Sequence, residues 1–278
     1  MALNYKYVIP PVGQVDNHIM REMFDDVQTY VNALGTGPFL PLAGGTISGN
    51  LVVSGTLDVT GATTLTSPAT VTSSGATTSL KIDNTATDGD PTITWQLSGT
   101  SIFTMGVNDG SSDVLQLGTT AIDTATMWQA TAAGEITQPL QPSFLVTDGT
   151  GATDVTGDGT AYTKLWPTEV FDQGGDFSSN TFTAPVTGRY HLSTMVLLQN
   201  ILATHGTRNL NIVTSNRTFN FAATYSLAES FKGVHLSILC DMDANDTAIV
   251  TISVTASTKT VDIFGDVVNN SFCGSLIN

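Results

Sequence analysis

The sequence predicts a mainly β chain that is built as a thread of small modules and completed by other copies of itself. Three observations predict it. Three consecutive six-residue units, Gly49-Asn-Leu-Val-Val-Ser54, Gly55-Thr-Leu-Asp-Val-Thr60 and Gly61-Ala-Thr-Thr-Leu-Thr66, repeat a glycine and an aliphatic residue at fixed offsets. Only 12% of the 278 residues are charged, against about 25% in ordinary soluble domains. The rest of the chain alternates short runs of β-branched and aromatic residues with Gly, Asn, Asp and Pro, the pattern of strands and turns rather than helices.

The repeats are too short to enclose their own apolar residues. Leu51, Val53, Leu57, Val59 and Leu65 therefore need a stacked neighbour or copies from other chains. From Gly45 to Leu80, 16 of 36 residues are Ser or Thr, and Asp58 is the only charge between Val27 and Leu80. Solubility here rests on hydroxyls and amides, and β-branched Thr and Val disfavour helix.

In chain order, residues 1–34 form the first module. Met1 to Gly13 ends in Ile9-Pro10-Pro11 and reads as an extended arm, because proline fixes φ and stops a helix. Its apolar side chains, Tyr5, Tyr7, Val8 and Ile9, cannot fold alone and suit a peptide that orders on a partner. From about Val15 the period changes. Met20, Phe24, Val27, Val31 and Leu34 are spaced by four, three, four and three, a heptad seam for a short self-associating coiled-coil helix, with Asp16 as N-cap and Gly35 as terminator. The competing reading of those residues is a single amphipathic helix packed on a globular core.

Residues 35–74 form a breaker-rich linker and the repeat shaft, expected to be β-rich and trimeric. Residues 75–142 read as a small antiparallel β module, with strands at Leu80–Ile82, Thr92–Leu97, Ile102–Met105 and Val114–Leu117. Asp-Gly-Asp-Pro at 88–91 and Asn-Asp-Gly at 108–110 supply its turns. Pro139 and Pro142 mark the transition to an all-β region over 143–278.

That last region carries the most specific pattern. Phe182-Thr-Ala-Pro-Val-Thr-Gly188-Arg-Tyr190 joins a strand, a proline turn, a glycine and an aromatic strand, and the chain closes on Phe272-Cys-Gly274-Ser-Leu276. It resembles the C1q/tumour-necrosis-factor jelly roll, a β-sandwich in which such segments form successive strands and the last strand. The resemblance implies a knob core of Phe171, Phe177, Phe182, Tyr190, Phe272 and Leu276, and three knobs packed about an axis. Leu192 departs from it, standing where that family usually has Phe. Further upstream, Pro41-Leu-Ala-Gly-Gly-Thr-Ile-Ser-Gly-Asn-Leu-Val-Val-Ser-Gly-Thr-Leu57 is similar to the shaft-entry segment of bacteriophage tail fibres.

Together the two resemblances imply a structural virion protein: a homotrimeric phage fibre or spike, assembled in the host cytoplasm and carried on the virion. It would be anchored to a tail or capsid protein through its N-terminus, with a C-terminal knob that attaches to a host cell-surface glycan or protein. A capsid-attached fibre or decoration protein would use the same modules. A carbohydrate-active depolymerase and a secreted adhesion module are the rivals from other classes.

The chemistry in the sequence favours binding over catalysis. Glycoside hydrolysis uses two carboxylates about 5–10 Å apart, whereas Glu135, Glu169 and Glu229 are isolated and the aspartates sit beside Gly or Asn as turn formers do. His18, His191, His205 and His235 are scattered, and no Gly-x-Ser-x-Gly elbow occurs. No cofactor is implied. Hard-cation ligation has one weak candidate loop, with Asp148, Asp154 and Asp158 between glycines, but it lacks calcium-loop spacing. A net charge of −15 and singly scattered basic residues disfavour nucleic acid. No apolar run approaches the roughly 18–20 residues of a membrane span, and the N-terminus lacks the order of a signal peptide.

Cys240 and Cys273 are read as two free thiols, a disulfide requiring that their strands be neighbours. Receptor contacts are expected from loop side chains such as Tyr225, Phe231, His205 and Arg208 in the insert between knob strands.

Overall fold

The computed structural model describes residues 17–36, 50–72, 80–224 and 226–277. The chain divides into two units, residues 1–78 and 79–278.

In the first unit, helix α1 spans Asn17–Thr36. It runs through Gly35, which the sequence reading placed as terminator; a glycine in the last turn costs a helix only about 1 kcal/mol. Met20, Phe24 and Val27 of the heptad seam are exposed, and among the described residues nothing covers them. The side chains of Val31 and Leu34 lie outside the described residues, as do Tyr5, Tyr7, Val8 and Ile9 of the arm. Residues 50–72 contain no helix or strand within the single chain, and Leu51, Val53, Leu57, Val59 and Leu65 are all exposed. A six-residue unit has no partner of its own to pair with, so its backbone and apolar groups stay open.

The second unit contains two β structures. A five-stranded antiparallel sheet comprises β1 (Thr92–Leu97), β2 (Thr100–Asn108), β3 (Val114–Thr119), β4 (Thr126–Ala130) and β5 (Ile136–Thr137), hydrogen-bonded in sequence order. Leu80–Ile82, expected as a strand, is not one: its residues are exposed and Lys81 pairs with Asp83 at 2.7 Å. The segment precedes the sheet without a strand to pair with.

The remaining strands are β6 (Ser143–Thr147), β7 (Ala152–Thr156), β8 (Tyr162–Thr163), β9 (Thr168–Gln173), β10 (Phe177–Ser178), β11 (Thr181–Thr183) and β12 (Gly188–Ile201). They are followed by β13 (Thr207–Thr214), β14 (Thr218–Thr224), β15 (Glu229–Met242), β16 (Thr247–Val254), β17 (Val261–Ile263) and β18 (Ser271–Leu276). One sheet runs β9-β6-β18-β12-β15, with β17 and β7 extending it beside the far end of β12; the other runs β10-β11-β16-β13-β14, with β8 on β16. The antiparallel pairs are nested, β6 with β18, β11 with β16, β12 with β15 and β13 with β14. A long hairpin folded over on itself in this way is a jelly roll.

The core lies between the two sheets. Along β12 and β13 every second residue points inward, placing Tyr190, Leu192, Val196 and Leu198 opposite Leu210 and Ile212. An aromatic cluster fills one part. Phe144 stacks on Phe182 and Phe177 at centroid distances of 4.8 and 5.1 Å and meets Phe272 edge-on at 5.0 Å. Phe182 on β11 and Tyr190 on β12 belong to different sheets, and their rings touch across the turn that joins them; the Tyr190 hydroxyl donates to the Val186 carbonyl at 2.7 Å. The glycine of the closing Phe-Cys-Gly274-Ser-Leu segment is required by packing, since a Cβ there would stand 2.6 Å from Leu192 and 2.7 Å from the Phe144 ring. Leu276 packs against the edge of the core.

Phe171 does not belong to the core and is 48% exposed. A β-bulge between Leu145 and Val146 resets the β6–β9 register, and Phe171 pairs with Leu145, on the face opposite to inward Phe144 and Val146. Cys240 on β15 and Cys273 on β18 are free, and both strands pair with β12 from opposite sides. Strands lie about 4.8 Å apart, so the two cysteines are separated by roughly twice that, beyond the ~7 Å reach of a disulfide.

Candidate functional site

The outward face of the sheet containing β12 is the strongest candidate. A single row crosses five strands through register partners: Phe171, Leu145, Cys273, Ser193 and Ser237. Beside it, β12 presents Met195 and Leu197, and β15 presents Leu239 and Phe231, the last set edge-on to Phe264 at 5.1 Å. Two cross-strand pairs tie the centre together, His191 Nε2 with Ser237 Oγ at 2.8 Å and His235 Nε2 with Ser193 Oγ at 3.1 Å. Charge is confined to the margin, where register partners Arg189 and Asp241 stand and Asp241 pairs with Arg217 at 2.8 Å. Covering this face would release water without stripping a Lys, Arg, Asp or Glu from its centre, which is the property of a contact surface.

The outward face of the opposite sheet is of another kind. Asn211 donates to Thr251 at 3.1 Å, Asn220 to Asn211 at 2.6 Å, and Thr207 bonds Thr224 at 3.0 Å. Amides and hydroxyls there satisfy one another, and the face suits water.

Two buried ion pairs fix the loops. Lys164 and Asp148 are both almost fully buried and meet at 2.5 Å, with Lys164 also donating to the Leu165 carbonyl and lying 4.4 Å over the Trp166 ring. Burial alone would raise the Asp148 pKa. The Lys164 ammonium and the N–H groups of Gly151 and Thr150 outweigh it and hold the carboxyl below its ordinary range. Burial lowers Lys164, against the opposing pull of Asp148. Nearby, Asn270 donates to the carbonyls of Phe264 and Asp266, closing the β17–β18 loop.

The second group is Arg208, fully buried and 3.0 Å from Glu229, which also pairs with Lys232 at 3.2 Å. Arg208 and His205 were expected as receptor contacts and are corrected by this geometry. Arg208 falls in phase with inward Leu210 and Ile212, and the buried His205 accepts the Leu202 N–H through Nδ1 at 2.9 Å. Phe231 remains half-exposed, and Tyr225 lies outside the described residues. Glu229 lines an open cleft of about 470 Å³ with Asp154, Asn200, Ser230 and Thr260. Its carboxylate is engaged by two cations.

The three aspartates weighed as calcium ligands are not brought together. Asp148 is held by Lys164, the Asp158 carboxylate accepts the Thr160 N–H, and the Asp154 N–H donates to Asp262. Among the described residues no cluster of His, Cys, Asp and Glu could hold a metal ion. The buried Arg208 was legible from the alternation Arg208-Asn-Leu210-Asn-Ile212. Lys164 and Asp148 carry no local signal, because their partnership depends on the path of the chain between them.

No family model matches the chain, and no curated protein matches it. Among solved structures, it is similar to the globular domain of zebrafish complement 1qA protein, at 14% identity and TM-score 0.36 over 50% of this chain and 98% of that one. It is also similar to murine APRIL crystallised at pH 8.0, at 11% identity and TM-score 0.37 over 49% of this chain and 99% of that one.

Proposed function

We propose that this chain is a structural fibre or spike protein of a bacteriophage virion, a homotrimer whose N-terminal arm docks on a tail or capsid protein and whose C-terminal sandwich attaches to a glycan or protein of the host surface. Its work is mechanical and adhesive. The observation that carries the reading is the outward face of the β12 sheet, where the His191–Ser237 and His235–Ser193 pairs are flanked by exposed Phe171, Leu239 and Phe231, and Arg189 and Asp241 stand only at the margin. The exposed seam of Met20, Phe24 and Val27 and the exposed aliphatics of residues 50–72 point the same way: three separate parts of the chain need copies. The likeness of Pro41–Leu57 to fibre shaft-entry segments supports the virion setting.

Native mass measurement of the full chain should give three copies, and labelling of the sandwich should place it at the outer end of the fibre on imaged virions. A stable monomer at micromolar concentration would overturn the assembly on which the function depends.

A further inference from the structure

We infer that the apolar face of the β1–β5 sheet is a surface shared between copies of this chain, closed by the same sheet of its neighbours in the assembly. The inference rests on the self-association proposed above and assigns a further station of it, in the module that precedes the sandwich.

This sheet is covered on the side that ordinary packing would leave wet. On its polar face Thr104, Asn108 and Gln116 are buried, and the loop after β3 lies against Thr104 and Gln116. Thr104 Oγ1 donates to the Thr120 carbonyl at 2.6 Å, the Asp123 N–H donates to Gln116 Oε1 at 3.0 Å, and Asn108 donates to the same oxygen at 3.3 Å. Gly118 permits the cover, because a Cβ there would lie 2.6 Å from the Ala121 carbonyl. The opposite face is open. Register partners Trp95 and Phe103 lie on it with Leu117 and Met127, lining a cleft of about 370 Å³, and Leu97 follows Trp95 in phase along β1. Trp95, Leu97 and Phe103 are 47%, 69% and 40% exposed.

The occupant follows from charge and area. No charged side chain stands among these residues, so the face offers a foreign partner little to recognise. Copies that each carry a net charge of −15 repel one another, and association is least opposed where they meet without charges. With about 150–250 Å² per aromatic side chain, the three exposed residues contribute roughly 300 Å², below the ~800 Å² per partner of a stable complex. The face therefore closes as one contact among several on the same chains, where the helix seam and the sandwich raise its effective concentration.

Full-length protein is tested by hydroxyl-radical footprinting, assembled and after dilution to dissociation, alongside Trp95→Glu and the opposite-face control Gln96→Glu. Phe103 and Met127 should oxidise roughly tenfold more slowly in the assembly. Trp95→Glu should shift the chain toward monomer, and Gln96→Glu should assemble as the wild type does. Equal oxidation of Phe103 and Met127 in a persisting trimer, or a Trp95→Glu protein that assembles like the control, overturns this inference alone. Should Trp95→Glu fail to fold, the wild-type footprint decides. A chain that is monomeric at every concentration overturns the self-association itself.

Discussion

Phe182→Ala tests the assignment of inside and outside in the sandwich. The side chain is 1% exposed and in ring contact with Phe144 from one side and Tyr190 from the other. Removing the ring forfeits about 2 kcal/mol of transfer free energy. A cavity on the order of 100 Å³ that cannot fully collapse adds about 2 kcal/mol more. Collapse is hindered because both neighbours are held elsewhere, Phe144 by Phe177 and Phe272 and Tyr190 by its bond to the Val186 carbonyl. The expected cost is about 3–5 kcal/mol per chain, a large part of the 5–15 kcal/mol that holds a typical domain. At roughly 3–4 °C per kcal/mol for a domain of this size, Tm should fall by about 10–20 °C, read by circular dichroism. Phe171→Ala is the matched contrast. Half-exposed on the outward face, it should leave chain stability within about 1 kcal/mol while weakening assembly in a native mass titration. A Phe182→Ala protein with unchanged Tm, or a Phe171→Ala protein that unfolds as Phe182→Ala does, would refute the assignment of inside and outside on these strands.

Lys164→Met should destabilise the chain by about 3–5 kcal/mol in denaturant titration, because it strands a buried carboxylate, and adding Asp148→Asn should recover part of the loss. The same pair gives a pH dependence. Asp148 has a folded pKa below 3.8, so its stabilisation is full above that value and is lost as pH falls through the folded one; acid unfolding should begin at higher pH in Asp148→Asn. Burial, with the neighbouring Asp241 carboxylate, pushes the Cys240 thiol up to about 11. Native protein at about pH 8 should react slowly with a thiol reagent at Cys240, and unfolding should release two thiols per chain; fast native labelling there would contradict the packing. Deleting residues 1–13 should leave soluble assemblies that fail to join particles, and normal incorporation of the truncated protein would move the anchor elsewhere.

What the sequence revealed depended on whether the determining contact was local. The Phe182–Tyr190 segment is contiguous, and its turn, its two strands and the ring contact across them follow from residues close together in the chain. The seam of Met20, Phe24 and Val27 is likewise a spacing, and its exposure in one chain is what the spacing implies. Phe171 was misplaced because its face is set by pairing with Leu145 on a distant strand and by an extra residue, Val170, bulged out of β9 opposite the Leu145–Val146 step, and one extra residue turns a side chain from core to surface. Lys164 and Asp148 are 16 residues apart and meet through the path of the chain across β7 and β8, which no short-range pattern encodes. The β1–β5 sheet is the most instructive case. Alternation shows that Trp95, Phe103 and Leu117 share a face, but it cannot show which face the chain itself will cover. Here the loop after β3 lies down on the polar side, drawn by the Gln116 amide and admitted by Gly118. An apolar stripe in a β-rich, weakly charged chain is thus no guide to its own core, and in this protein the stripes left open, on α1, along the repeats, on β1–β3 and across β12 and β15, are the surfaces that the proposed self-association would cover.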